Sequence, residues 1–146
     1  MIAILSPAKT LDFEKKCNFS QFTIPEFKED SHILINELKK FSISDLSNLM
    51  NLSSSLSELN FQRYKSWNMD FNLSNSKQAI LCFKGGVYLG LDVDGFSQED
   101  LDYSQKSIRI LSGLHGVLKP FDLIQPYRLE MGTKLLNIRG KNLYEF

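Results

Sequence analysis

The sequence predicts an α/β protein, with a mixed α+β arrangement as its variant, and three observations predict it. Short apolar runs at residues 2–5, 79–83 and 108–111 are each closed by Pro- or Gly-containing turns, as buried strands are. Helix-period stretches separate these runs, which is the alternation expected of helices packed on a central sheet. The chain has 146 residues, 42% apolar and 12% aromatic, enough for one hydrophobic core without a metal or disulfide staple. The expectation is a single compact unit over residues 1–146, with a central mixed sheet and helices around it.

Each element follows in chain order. Residues 2–5 read as a buried strand feeding a loop at Ser6-Pro7. From Asp30 to about Lys40, Leu34, Leu38 and Phe41 recur at helical spacing behind a Ser or Asp cap. Leu46, Leu49 and Met50 repeat the pattern after Ser44. Ser55-x-x-Glu58 and Ser97-x-x-Asp100 fit the reciprocal capping arrangement and predict helices near 56–66 and 98–106. Between them, residues 79–83 read as a second buried strand ended by Lys84-Gly85-Gly86, and 108–111 as a third ended by Ser112-Gly113. Residues 92–95 read as a turn into the Ser97 cap, because the spacing of a calcium loop is incomplete. Residues 42–60 are rich in Ser and Asn, yet Leu46, Leu49, Leu52, Leu56 and Leu59 keep apolar periodicity, so the stretch is expected to fold.

Charge and cysteine usage exclude several function classes. Lys+Arg and Asp+Glu are both 17, so a polyanion must be held by a local patch and not by the field of the whole molecule. The N-terminus lacks the charged and apolar segments of a signal peptide, and no run approaches the length of a membrane span, so a cytoplasmic protein without a membrane partner is expected. Cys17 and Cys82 are far apart and form no CxxC, which fits free thiols in a reducing compartment. His32 and His115 belong to no HxxxH, HExxH or Cys/His cluster, so neither a metal site nor a cofactor is expected.

Three segments carry candidate chemistry. Ser6, Lys9 and Thr10 set two hydroxyls and an ammonium on one loop at a strand end, where ligands of open α/β sheets bind; the alternative is a Pro-set turn with a solvated Lys. Lys84 followed by Gly85-Gly86 offers a cation beside backbone that an anion can approach; the alternative is a sharp turn. The third segment, residues 111–132, is the most informative. Gly113 and Gly116 form a G-x-x-G hairpin, and Lys119, Tyr127 and Arg128 follow on Pro-stiffened turns. A glycine hairpin between helices can aim amides at phosphate, with Lys and Arg adding charge-assisted hydrogen bonds. Over residues 101–146, seven Lys and Arg face four Asp and Glu, a surplus of three positive charges. Arg128 also has Glu130 two residues away and Asp122 upstream as ion-pair partners, and Asp122 with Glu130 is a formal acid/base pair. Cys17, after Lys15-Lys16, is a candidate peroxide-sensing thiol, whereas Cys82 reads as a buried small hydrophobe.

Taken together, SPAKTLD at 6–12, AILCFKGGVYLGL at 79–91, LSGLHGVLKPFDLIQPYRLEMG at 111–132 and RGKNLYEF at 139–146 resemble the peroxide stress protein YaaA family over essentially the whole chain. The resemblance implies a cytosolic bacterial protein of the oxidative stress response that limits iron and DNA damage under hydrogen peroxide. It also implies non-specific binding of double-stranded DNA by a basic cleft and a helix-hairpin-helix-like element. By motif, it places Lys9, Thr10, Lys84, Lys119, Tyr127, Arg128 and Glu130 around that cleft. Ser6, Gly113 and Gly116 complete the DNA or phosphate set from the residue reading. Three positions depart from the family pattern: Gly86 stands where Asp is usual, His115 where Tyr is usual, and Lys119 where Arg is common. Family members continue beyond residue 146, so the chain reads as an N-terminal part, with the cleft incomplete and an apolar sheet edge uncovered. No catalytic constellation is identified. The expectation is a monomeric, non-enzymatic DNA-associating protein; the alternatives are an enzyme or binding protein for a nucleotide or other phosphorylated small molecule, and a thiol sensor at Cys17.

Overall fold

The structure, a computed structural model, describes residues 1–15 and 19–146. Strand β1 (Ala3–Leu5) runs into β2 (Thr10–Leu11), and three helices follow: α1 (Lys28–Leu38), α2 (Ile43–Met50) and α3 (Ser54–Ser66). Then come β3 (Lys77–Gln78), α4 (Ala79–Cys82), β4 (Phe83–Lys84), α5 (Gly86–Leu91), a 3₁₀ turn (Val93–Gly95) and α6 (Gln98–Ser107). Strands β5 (Ile108–Ser112), β6 (Gly116–Leu118) and β7 (Leu123–Ile124) close the order. The architecture is mixed α/β, as the sequence predicts. Among the described residues, no helix is long and apolar enough to cross a membrane.

The sheet is smaller and more divided than expected. Strand β5 is central: β1 pairs with it in parallel, Ala3 with Ile108 through Leu5 with Ile110, and β6 pairs antiparallel, Ile110 with Leu118. Two short antiparallel ladders lie apart from it, β2 with β4 and β3 with β7. Residues 79–83 are not one strand. Ala79–Cys82 make a helical turn and Phe83 begins β4. A short apolar run buried on all sides carries no period that separates strand from helix, which is why the sequence misled.

Within residues 2–5, Ala3–Leu5 form a strand, but not a buried one. Ile110 and Leu118 turn inward and are fully buried, whereas Ile4 is 65% exposed on the other side. Helix α1 buries Leu34, Ile35 and Leu38 against this core, and α3 adds Tyr64, followed by Trp67 at its C-cap. The caps shift relative to the sequence reading. Ser42 and Asp45 make a capping box at α2, and Ser53, not Ser55, caps α3. Ser97 and Asp100 make the expected box at α6. Helix α1 begins after Phe27, with no side-chain cap.

The helical hairpin of the molecule is α2–α3, with Asn51 in the left-handed conformation at the end of α2. The Gly113–Gly116 turn instead joins two strands, β5 and β6. The sidedness of the sheet makes a direct prediction. Ile110→Ala should lower the free energy of unfolding by about 3 kcal/mol, as expected for a truncated core side chain, and Ile4→Ala by less than about 1 kcal/mol in urea titrations. Equal costs would contradict a one-sided sheet.

Candidate functional site

Three motifs that lie far apart in sequence meet at one end of the sheet. The parallel register of β1 on β5 makes Ser6 leave the sheet at the end where Ser112 enters its hairpin. Tyr88 of α5 donates a hydrogen bond from its hydroxyl to the Ser6 carbonyl (2.7 Å), fixing the first loop to the segment after Gly85-Gly86. Burial pushes that phenol up to about 12, so it stays a donor at neutral pH. Thr10 and Lys84 pair directly across β2 and β4. The SPAKT and FKGG segments are therefore two strands of one ladder.

Residues 127–132 are held against the same loop. Gly113 lies so close to the Leu129 carbonyl oxygen that a methyl group there would overlap it. Tyr127 is buried, and its hydroxyl hydrogen-bonds the Ser112 hydroxyl (2.6 Å) with its pKa driven up by burial. The Tyr64 hydroxyl donates to the Arg128 carbonyl. With its backbone fixed in this way, Arg128 turns its guanidinium to Glu130 (Nη2 to Oε1, 3.1 Å), and Lys9 approaches the other Glu130 oxygen at 3.5 Å. Of the two ion-pair partners open to Arg128 in the sequence, Glu130 is the one it contacts. A cavity of about 260 Å³ lies between residues 7–11 and 127–132.

The electrostatics of this cavity are one-sided. The Lys9 side chain is 66% exposed and that of Arg128 only 18%, and the buried Arg128 Nε–H has no hydrogen-bond partner among the described residues. The Arg63 guanidinium is pushed below its usual pKa, chiefly by burial and further by the charge of Arg128. Lys9 and Arg128 thus share one carboxylate, Glu130, with Arg63 near enough to Arg128 to feel its charge. One accessible ammonium and a recessed guanidinium therefore line the cavity.

The remaining candidates fall elsewhere. Lys84 points to Asp12 (3.7 Å) in a separate polar cluster, where Lys15 pairs with Asp94 and Lys77 Nζ donates to the Asp12 carbonyl (3.0 Å). The Asp12 carboxyl is held below its usual range, first by the Lys15 backbone N–H. The hairpin amides do not face outward as a phosphate cradle. The N–H groups of Leu114 and His115 both donate to Ser112 Oγ, and Gly113 and Gly116 serve the packing and the turn, Gly116 with φ of 70°. Lys119 lies at the opposite end of β6, where its backbone N–H donates to Asp122 (2.8 Å). Asp122 is buried and also accepts from the Thr23 hydroxyl (2.6 Å), so Asp122 and Glu130 have different partners. Cys17 lies outside the described residues. Among the described residues, no group of three or more His, Cys, Asp or Glu could hold a metal ion.

Sequence reasoning missed Tyr64, Tyr88, Arg63 and Ser112, which set the positions and charges of the others. A tyrosine in a helix gives no sign of which distant carbonyl it will meet. His115 is a core residue of the hairpin, edge-on to Tyr127 with ring centroids 5.4 Å apart. Its Nδ1 is hydrogen-bonded to the Ser31 hydroxyl (2.9 Å), and its buried Nε2 has no hydrogen-bond partner among the described residues. Burial pulls its pKa down to about 3.

Known proteins are similar to this chain over its whole length. A family model described as peroxide stress protein YaaA matches residues 1–146. A UPF0246 protein of Burkholderia thailandensis is 51% identical over 146 residues, covering 100% of this chain and 56% of the relative. One from Burkholderia cenocepacia has the same identity and coverage, and one from Shewanella sediminis is 50% identical with 57% of its length covered. The chain spans a little over half the length of these relatives.

Two predictions follow from the packing of the hairpin. Gly113→Ala should cost about 2–3 kcal/mol, because the Leu129 backbone must move, whereas Gly86→Ala, with nothing near its added methyl, should change stability by less than about 1 kcal/mol. Chemical denaturation of both variants checks this. The folded pKa of His115 lies below its unfolded value of 6.5, so its contribution is complete above that pH and lost as pH falls toward about 3. Relative to His115→Phe, the wild type should lose up to about 1.4 kcal/mol of stability per pH unit in that window. Parallel stability profiles for the two proteins would contradict a buried neutral His115.

Proposed function

Because the chain belongs to the peroxide stress protein YaaA family, we propose that it acts in the cytoplasmic response to peroxide by holding the phosphate backbone of double-stranded DNA, and that this contact limits iron-dependent oxidative damage. The observation that carries the reading is the shared cavity of Lys9 and Arg128, with a buried guanidinium N–H that has no partner among the described residues. A buried donor without a partner is costly, and a phosphate oxygen would relieve that cost. Contacts of this kind position a duplex without reading its sequence, so binding is non-specific.

Glu130 sets the strength of the contact. It holds Lys9 and Arg128 in the free protein, and an incoming phosphate takes over one or both cations. Ser6 and Thr10 flank the 7–9 loop that carries Lys9, Thr10 within β2, and neither lines the cavity. The link to iron is electrostatic: a protein that neutralises backbone phosphates releases the cations condensed on them, and ferrous iron bound there is released with the rest. The recessed shape of the cavity favours a second reading, a small phosphorylated ligand, with the same residues holding a single terminal phosphate.

Fluorescence anisotropy of a labelled duplex at two salt concentrations tests the first reading. Binding should weaken steeply with salt. Lys9→Gln and Arg128→Gln should each reduce affinity about 5- to 10-fold and lower the salt slope by about 0.9 per lost phosphate contact. Wild-type affinity in both variants would overturn the reading. Competition by nucleotides or pyrophosphate at concentrations that leave ionic strength unchanged would favour the small ligand.

A further inference from the structure

The three-stranded sheet has one covered face and one bare face. Paired residues in the register point to the same side, so Leu5, Ile110 and Leu118 turn to the core while Ile4, Arg109, Leu111 and Val117 share the opposite face. Ile2 joins them by strand alternation. On that face Ile2 is 57% exposed, Ile4 65%, Leu111 42% and Val117 39%. The one charged residue among them does not interrupt it. Arg109 bends its guanidinium back to the carbonyls of Gln105 (3.1 Å) and Ile108 (2.6 Å), at the C-terminal end of α6, and leaves its aliphatic stem on the sheet.

The edge of the sheet is equally bare. Strand β1 pairs with β5 on one side and with no other strand among the described residues. It carries none of the devices that blunt an exposed edge: Ala3–Leu5 contains no Pro, Lys or other charged residue. Aliphatic, β-branched residues on both sides of a strand are the pattern of a sheet covered on both faces. Here only one cover is present. The chain accounts for 56% of its Burkholderia relatives, so a little under half of their polypeptide lies outside the matched stretch.

We propose that the face formed by Ile2, Ile4, Leu111 and Val117, with the open edge of β1, is the seat of that remaining polypeptide, which packs an apolar surface on the sheet and continues it beyond β1. The seat is built into this chain already folded, and its occupant is part of the same protein in the relatives. This inference is independent of phosphate binding, since the face and the Lys9–Arg128 cavity share no residue.

Hydrogen exchange tests it on two proteins: the 146-residue chain, and the same chain joined to the remaining polypeptide of the Burkholderia thailandensis relative as it is joined there. The β1 amides that face the open edge, away from β5, should exchange rapidly in the first and at least tenfold more slowly in the second. The double variant Ile4→Lys/Leu111→Lys changes only exposed side chains, so it should leave the chain alone folded by circular dichroism while abolishing the added protection in the joined protein. Rapid exchange of those amides in a folded joined protein, or protection that survives the double variant, would overturn the proposal. Protection of those amides in the chain alone, with sedimentation as a dimer, would overturn it in favour of a second copy as the occupant.

Discussion

Everything at the candidate site depends on the parallel pairing of β1 with β5. It joins residues 3–5 to residues 108–110, across about 105 residues of chain, and so carries a large loop-closure cost before any local contact repays it. Its direction decides what meets. A parallel register sends Ser6 out of the sheet at the end where Ser112 enters the hairpin, and an antiparallel one would have sent it to the Lys119 end. Once the loop is there, Tyr88 ties it to α5, and Gly113 lets the Leu129 backbone lie directly against the hairpin. The Lys9–Glu130–Arg128 contact is the last step of this sequence of constraints.

The electrostatic arrangement follows from the same packing. The chain is neutral as a whole, yet its charges are sorted locally. Lys15, Lys77 and Lys84 lie among Asp12, Asp92 and Asp94 on one side of the β2–β4 ladder, where the charges neutralise one another. In the other cluster Lys9 and Arg128 share Glu130. A surface pair such as Lys9–Glu130 contributes little to stability, because solvent screens it and two long side chains must be ordered. An ion pair that weak is readily exchanged for a phosphate, whereas the half-buried Arg128 is already oriented by Tyr64 and by its fixed backbone.

Much of this was legible in the sequence, and the failures have physical causes. Apolar periodicity located α1 and α2, the capping pattern located α3 and α6, and the motifs pointed to residues 6–10 and 127–130. Periodicity does not report which face of a strand will be covered, so β1 was expected buried. Nor does it distinguish a helical turn from a strand in a run as short as Ala79–Cys82. The glycines of the third motif were expected to open backbone to a ligand, but Gly113 opens it to Leu129 instead. Lys84 and Lys119 show the limit most clearly. Each sits in a motif beside a residue of the cavity, and each is turned away by strand alternation or by the length of β6, which only the register reveals.

The central claim is that Arg128 offers its recessed N–H to phosphate, and the nitrogen itself can be observed. The chain has four arginines, Arg63, Arg109, Arg128 and Arg139, so the Nε–H region of a ¹⁵N–¹H spectrum is simple to assign by single Arg→Lys variants. On titration with a short DNA duplex, the account predicts that the Arg128 Nε–H resonance shifts and saturates with binding while those of Arg109 and Arg139 stay in place. Saturable binding of the duplex with the Arg128 resonance unmoved would contradict it.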